Sequence, residues 1–279
     1  MKKLNYFIVI IILSLFINCK KGNTDIVENN TDTIDNNTTS YPTEGLIANW
    51  TFDNDSNDDV IDNSGYEING KSYSVKYEDG VIGKSLLFDG ETSKIIIPDA
   101  NSLPPESIAN LEKGTISGWF KFTNKEGQVL PILYFGKATS TDPPYGLILE
   151  IGHNRGDINN RRLYFTIIHS QSGNQCFDSG ENLLENTWYH FAIIVSESGN
   201  TGYLNGIEIT NRRYNLGSDE NYTVFFNNVP NKEMLSIGYG RYSQEEPFYS
   251  FNGNIDNIMI YNRALTKEEV VELYNMRNL

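Results

Sequence analysis

Residues 45–53 read Gly45-Leu46-Ile47-Ala48-Asn49-Trp50-Thr51-Phe52-Asp53. Leu46, Ala48, Trp50 and Phe52 alternate with Ile47, Asn49 and Thr51. Successive side chains of a strand point to opposite faces, so this pattern predicts a strand with one core face. The same β-rich character returns in Lys94 to Ile97, Thr115 to Phe122, Val129 to Phe135, Gly146 to Ile151, Arg162 to His169, Thr187 to Val195, Met234 to Tyr239 and Ile255 to Tyr261. Gly, Asn, Asp and Pro fill the stretches between, and many short strands punctuated in this way predict an all-β sandwich or barrel. In Gly202-Tyr203-Leu204-Asn205-Gly206-Ile207-Glu208-Ile209 the Asn-Gly pair marks a type I′ hairpin, whose two central residues need positive φ. One helix is predicted, from Thr266 to about Met276. Thr266 caps it, Glu269 closes a capping box and Leu265 staples onto Val270.

The 279 residues carry 36 Asp and Glu against 22 Lys and Arg, a formal charge of −14. A chain this acidic is not built to neutralise phosphates, which excludes nucleic acid as a partner. Hydrophobic residues make up 39%, enough to bury one sizeable core and too many for a wholly disordered chain. The two cysteines, Cys19 and Cys176, cannot supply a cysteine metal cluster or a multi-bridge disulfide framework. Lys2 and Lys3 precede an apolar run from Phe7 to Ile17 that is short for a membrane of ~30 Å hydrocarbon, so residues 1–18 read as a cleaved signal peptide. Leu15-Phe16-Ile17-Asn18-Cys19 resembles the lipobox of bacterial lipoproteins, which implies lipid on Cys19 and a membrane anchor in the bacterial cell envelope. Lys20 after the cysteine resembles the outer-membrane pattern. Residues 19–44, rich in Asn, Thr and Asp without a persistent period, are expected to form a flexible tether. Residues 45–279 are expected to fold as a single domain, with Cys176 a buried free thiol.

The later segments extend the opening one. Asp62-Asn63-Ser64-Gly65, Gly83-Lys84-Ser85-Leu86-Leu87-Phe88-Asp89-Gly90, Thr115-Ile116-Ser117-Gly118-Trp119-Phe120, Thr187-Trp188-Tyr189-His190-Phe191, Tyr203-Leu204-Asn205-Gly206 and the run from Phe251 to Thr266 follow residues 45–53. In order and spacing they resemble a laminin-G-like jelly roll of the concanavalin A-like lectin/glucanase superfamily. The resemblance implies a two-sheet antiparallel jelly-roll sandwich with its first and last strands adjacent. That scaffold hosts lectins, adhesion modules and glycanases alike, so function has to be argued from side chains.

Five aspartates, Asp53, Asp55, Asp58, Asp59 and Asp62, crowd ten residues, and hard oxygen ligands of like charge suit calcium. The spacing is not that of an EF-hand, because the sixth position is Asp58 and the twelfth Ser64. The family resemblance implies a structural calcium where the chain ends meet, on Asp53, Asp89, Gly90 and Asp256. The other reading is a solvated acidic loop in which Asp62 bonds its own turn. Retaining glucanases of this scaffold carry Glu-x-Asp-x-x-Glu on one strand face. No glutamate here is followed two residues later by aspartate. His153, His169 and His190 lie on different elements without metal-ligand spacing, and no Gly-x-Ser-x-Gly occurs, so no catalytic residue is assigned. His190 is expected to be a packed strand residue.

Binding remains. Sugar sites pair aromatic rings with Asn, Asp and Arg. Candidate ligand-binding residues are Tyr145, then His153, Asn154, Arg155, Asp157 and Arg161 in one predicted loop, and Tyr239, Arg241 and Tyr242 after a late strand. The alternative is that the aromatics are core and the loop polar residues form turns. Arg155, Arg161, Arg162, Arg212, Arg213 and Arg241 could converge on the carboxylate or sulfate of an anionic glycan. The expected function is that of a surface-anchored, non-catalytic lipoprotein whose jelly roll binds a glycan or polysaccharide. An adhesion or assembly component that binds another protein, and a divergent glycan-active enzyme, are the alternatives.

Overall fold

The structure is a computed structural model that describes residues 41–56, 58–98, 108–126, 128–138, 146–154, 157–169, 174–241 and 248–277, with backbone alone for 153, 154 and 157–160. The signal peptide, Cys19 and the tether up to residue 40 lie outside the described residues. The chain runs through β1 (Leu46–Trp50), β2 (Asp59–Val60), β3 (Gly70–Tyr73), β4 (Lys76–Asp79), β5 (Lys84–Asp89) and β6 (Lys94–Ile97). It continues as β7 (Gly114–Phe122), β8 (Leu130–Gly136), β9 (Gly146–Asn154), β10 (Asp157–Ile168), β11 (Gln175–Asp178), β12 (Tyr189–Ser196) and β13 (Gly199–Leu204). Last come β14 (Ile207–Glu208), β15 (Arg213–Tyr214), β16 (Met234–Ile237), β17 (Tyr239–Gly240), β18 (Tyr249–Ser250), β19 (Asn252–Tyr261) and α1 (Lys267–Asn275).

Two antiparallel sheets form the sandwich. One has the order β14-β13-β12-β7-β19-β5-β4 with β1 also on β19, and the other β15-β11-β10-β9-β8-β16-β6-β3-β2. As the family resemblance implied, the first and last strands pair, Trp50 opposite Ile258 and Leu46 opposite Tyr261. Between the sheets lies one core, in which Trp50, Phe88, Phe120, Phe135, Phe165 and Phe191 are buried. A second cluster seats α1 on the outer face of the first sheet, joining Ile194, Met259 and Tyr261 to Leu265, Val270 and Leu273.

The opening strand departs from simple alternation. A register shift between Leu46 and Ala48 puts Leu46 in the α1 cluster and Ile47 in the main core, and both faces of β1 are buried. The extra residue of a bulge changes which way the preceding side chains point. Local signals behaved as read: Asn205 and Gly206 have φ of 51° and 75°, and Thr266 and Glu269 form the reciprocal capping box of α1. Leu265 and Val270, its staple pair, share one cluster. The chain docks earlier than residue 45, for Tyr41 packs on the α1 cluster and its hydroxyl accepts from Asn49 Nδ2 at 3.2 Å. Cys176 is a buried free thiol whose pKa burial pushes up to about 11.

Candidate functional site

Along one edge β19 pairs first with β5, through Asn252 to Ile255, and then with β1, from Ile258 to Tyr261. The change of partner falls at a bulge between Asp256 and Met259, where Asn257 has φ of 48°. The turn from Gly80 to Gly83, which leads into β5, fills the gap. Asp256 Oδ2 accepts from the amides of Val81 at 2.8 Å and Ile82 at 3.2 Å, and Asp53, just beyond β1, accepts from Lys84 N at 2.7 Å. A Cβ at Gly80 would collide with the Asp256 carboxylate, and one at Gly83 with that of Asp53. Both acids therefore sit in a cradle that only glycine leaves open. Burial lifts the Asp256 carboxyl to about 7 against the pull of its amide donors, and the charge of Asp53 adds to the rise.

Asp89 and Gly90 do not join them. They lie at the far end of β5, about 17 Å of strand from Lys84. Asp89 instead accepts from the amides of Glu91, Thr92 and Ser93 and from the Thr92 hydroxyl. Burial alone would raise its carboxyl, but these donors hold it well below the usual carboxylate range. The rest of the acidic run is dispersed: Asp59 pairs with Lys71, Asp55 accepts from Ile61 N, and Asp62 organises the turn through Asn49, Ser64 and Ile68 amides. Among the described residues no three His, Cys, Asp or Glu side chains are grouped to hold a metal. A hard cation at the cradle would draw on the carboxylates of Asp53 and Asp256, oxygen donors of the kind calcium takes, in competition with the Val81, Ile82, Lys84 and Asn257 N–H groups they now accept from.

The other concentration of chemistry lies on the outer face of the nine-stranded sheet. On β6, Ile95 and Ile97 enter the core, so Lys94 and Ile96 point out; on β3, Tyr73 stands opposite Lys94. After β16 the backbone turns at Gly238, whose φ is 68° and where a Cβ would collide with the Phe88 ring, and brings β17 out over this face. The Lys94 ammonium ends 5.5 Å from the centre of the Tyr73 ring and 4.9 Å from that of Tyr239. Tyr239 stacks on Phe248 at 4.9 Å and 11° between planes, and Phe248 meets Tyr134 edge to face at 5.8 Å. Tyr73, 48% exposed, opens this aromatic row to solvent, and Tyr239 and Phe248 are half-buried.

The predicted ligand residues fare differently. Tyr239 belongs to the row. Arg241 is 1% exposed beneath it, its guanidinium 5.2 Å from the Phe248 ring centre and hydrogen-bonded to Tyr134, so it supports the row and is not offered to a ligand. Arg161 is likewise removed from solvent at 2% exposure: Nε donates to Asn124 Oδ1 at 2.6 Å, Nη1 to Gln128 O at 2.7 Å and Nη2 to Lys125 O at 2.7 Å. The predicted loop from residue 152 to 161 is largely a continuation of β9 and β10, with His153 paired to Arg161 and Asn154 to Asp157. Strand pairing overrides the turn preference of those polar residues. The side chains of His153, Asn154 and Asp157, and all of Tyr145, Arg155 and Tyr242, lie outside the described residues.

Among the described residues the arginines do not converge on an open site. Arg162 and Arg213 both pair with Asp178, and Arg212 bonds Ile209 O, Thr201 and Tyr214. Sequence reasoning missed Lys94, Tyr73 and Phe248. The alternation of Lys94-Ile95-Ile96-Ile97 did place Lys94 off the core face, but β3, which carries Tyr73, is too short to announce itself.

A laminin-G family model, described as the concanavalin A-like lectin/glucanases superfamily, matches residues 89–271. The chain belongs to this superfamily. No curated protein matches it. Solved structures of similar fold include domain 4 of a GH43 extracellular arabinanase from Geobacillus stearothermophilus, solved with arabinotriose. The TM-score is 0.56 at 20% identity, over 82% of this chain and 98% of that one. Trypanosoma rangeli sialidase in complex with sialic acid aligns with a TM-score of 0.58 at 18% identity, over 84% of this chain and 33% of that one. The binding domain of Paraclostridial mosquitocidal protein 1 aligns at 0.56 and 18%, over 84% and 52%. The superfamily member described here thus matches nearly the whole of the arabinanase domain and about a third of the sialidase.

Proposed function

We propose that this jelly roll is a non-catalytic glycan-binding module, held at the cell envelope by lipid on Cys19, with its ligand on the outer face of the nine-stranded sheet. The observation that carries the reading is the row Tyr73, Lys94, Tyr239 and Phe248. Rings presented with an adjacent cation suit the apolar face and polar rim of a pyranose or furanose. The arabinanase domain solved with arabinotriose supports it as the relative of nearly equal extent. Glu150 and Asp178 share the same face on either side of Tyr164. Asp178 is held by Arg162, Arg213 and the Gly180 amide, which suits an ion-pair network and not a free acid or base. Binding of the protein to a panel of plant and bacterial polysaccharides tests the reading. Tyr239→Ala is expected to weaken the bound member by about 10-fold or more, with a retained cooperative melting transition showing that the variant is folded. Equal binding by Tyr239→Ala moves the site off this face, and a panel without any binder overturns the function.

We further propose that Asp53 and Asp256 hold a structural calcium that ties β1, β5 and β19 together at the switch of strand partners. The metal would supply charge neutralisation for two neighbouring carboxylates, one of them buried. The melting temperature is expected to rise with calcium and fall with chelator. Asp53→Asn and Asp256→Asn should abolish that response while Asp89→Asn keeps it. A melting temperature indifferent to calcium would remove the proposal.

A further inference from the structure

We infer that the glycan taken by the aromatic row is an acidic one, a uronate or a sulfated sugar, and that Lys94 is the residue that reads its charge. This rests on the reading of that face as the glycan site. The chain has 36 acids to 22 lysines and arginines, and several lysines pair with acids, Lys71 with Asp59, Lys84 with Asp79, Lys113 with Glu197 and Lys125 with Glu91, while Lys121 lies over the Trp188 ring. Lys94 has no carboxylate partner among the described residues. Its ammonium rests between the Tyr73 and Tyr239 rings, where the ring faces attract it without neutralising it. Beneath the row, Arg241 places a second cation against Phe248.

A half-buried ammonium framed by two rings is a poor match for a neutral hydroxyl and a good one for an anion. A carboxylate or sulfate on the sugar can take a charge-assisted hydrogen bond from Nζ while its ring lies on the exposed Tyr73 and its edge meets the Tyr239–Phe248 stack. Partial exclusion of water by the rings strengthens that attraction over its value in bulk solvent. The group that supplies the charge is thus positioned by the same rings that would hold the sugar.

The test compares polygalacturonate with neutral arabinan, by calorimetry at low salt, on the wild-type protein and on Lys94→Gln, Lys94→Arg and Tyr239→Ala. Wild type is expected to prefer polygalacturonate and to lose affinity as salt rises. Lys94→Gln should weaken polygalacturonate about 10- to 100-fold and leave any arabinan binding unchanged, and Lys94→Arg should restore most of the loss. If Lys94→Gln binds polygalacturonate as wild type does, or if arabinan is preferred, the acidic assignment fails. The glycan face survives that result as long as Tyr239→Ala still abolishes arabinan binding. If neither polymer binds, the acidic assignment fails together with the reading it rests on.

Discussion

Acidification from pH 6.5 to 4 is expected to destabilise the fold through a single buried imidazole, and His190→Leu to remove that part of the pH dependence. His190 lies on β12 under α1, with its ring centre 5.1 Å from Trp119 and 6.1 Å from Tyr274. The Ser117 hydroxyl donates to Phe191 O at 3.1 Å, so His190 Nε2, 3.0 Å from Ser117 Oγ, is the donor of that pair. Nδ1 is then a buried acceptor without a hydrogen-bond partner among the described residues. Charging the ring would place a cation among apolar neighbours such as Ile82, Met259 and Leu273, and burial accordingly depresses its pKa from 6.5 to about 3.

In that interval the unfolded chain binds a proton that the native one refuses. The stability is complete above pH 6.5 and is lost as pH falls toward 3, by on the order of 3–5 kcal/mol over the whole range. Asp256 works the other way. Its raised carboxyl contributes stability below about 4 that is lost as pH rises to about 7. The readout is therefore the difference between wild-type and His190→Leu urea midpoints at each pH. Leucine leaves Ser117 bonded to Phe191 O, so the variant folds without an orphaned hydroxyl. Parallel pH profiles for the two proteins would show that His190 titrates normally and refute the prediction.

Arg161→Met is expected to cost about 3–5 kcal/mol of stability and to leave ligand binding by the folded fraction intact. The guanidinium spans from β10 to the connection between β7 and β8, and its three donors meet Asn124 Oδ1, Lys125 O and Gln128 O. Without it, part-buried oxygens face an apolar side chain, and an acceptor left unsatisfied away from water costs more than a hydrogen bond contributes. Arg161→Lys should recover little, because one ammonium cannot serve three acceptors arranged around a planar fork. Equilibrium urea denaturation with a constant slope measures the loss. A loss below about 1 kcal/mol, or a folded variant that no longer binds glycan, would return Arg161 to the candidate ligand residues.

Arg161 also shows where sequence reading stopped. An arginine in an apparently polar loop of an acidic chain reads as a ligand residue, and nothing within ten residues reveals that the loop is a strand or that three carbonyl and amide oxygens await it from another connection. Arg241 was misread for the same reason, since the ring that it supports belongs to Phe248, seven residues further along the chain and just before β18. Lys94 went unnoticed because its partners, Tyr73 and Tyr239, come from either end of the domain.

By itself the sequence determined what depends on near neighbours along the chain. The strand periods, the positive φ pair at Asn205-Gly206, the capping box of Thr266 and Glu269 and the missing glucanase carboxylates are all of this kind, because turn chemistry and capping act over two to four residues. The ordered motifs added the fold and the pairing of the first strand with the last. Only the tertiary structure decided that Asp53 meets Asp256 and leaves Asp89 behind, and that a lysine rather than an arginine stands unpaired on the aromatic face. Those choices follow from strand register and from the bulge at Asp256, which are set by how two whole sheets bury their apolar faces together and by no segment alone.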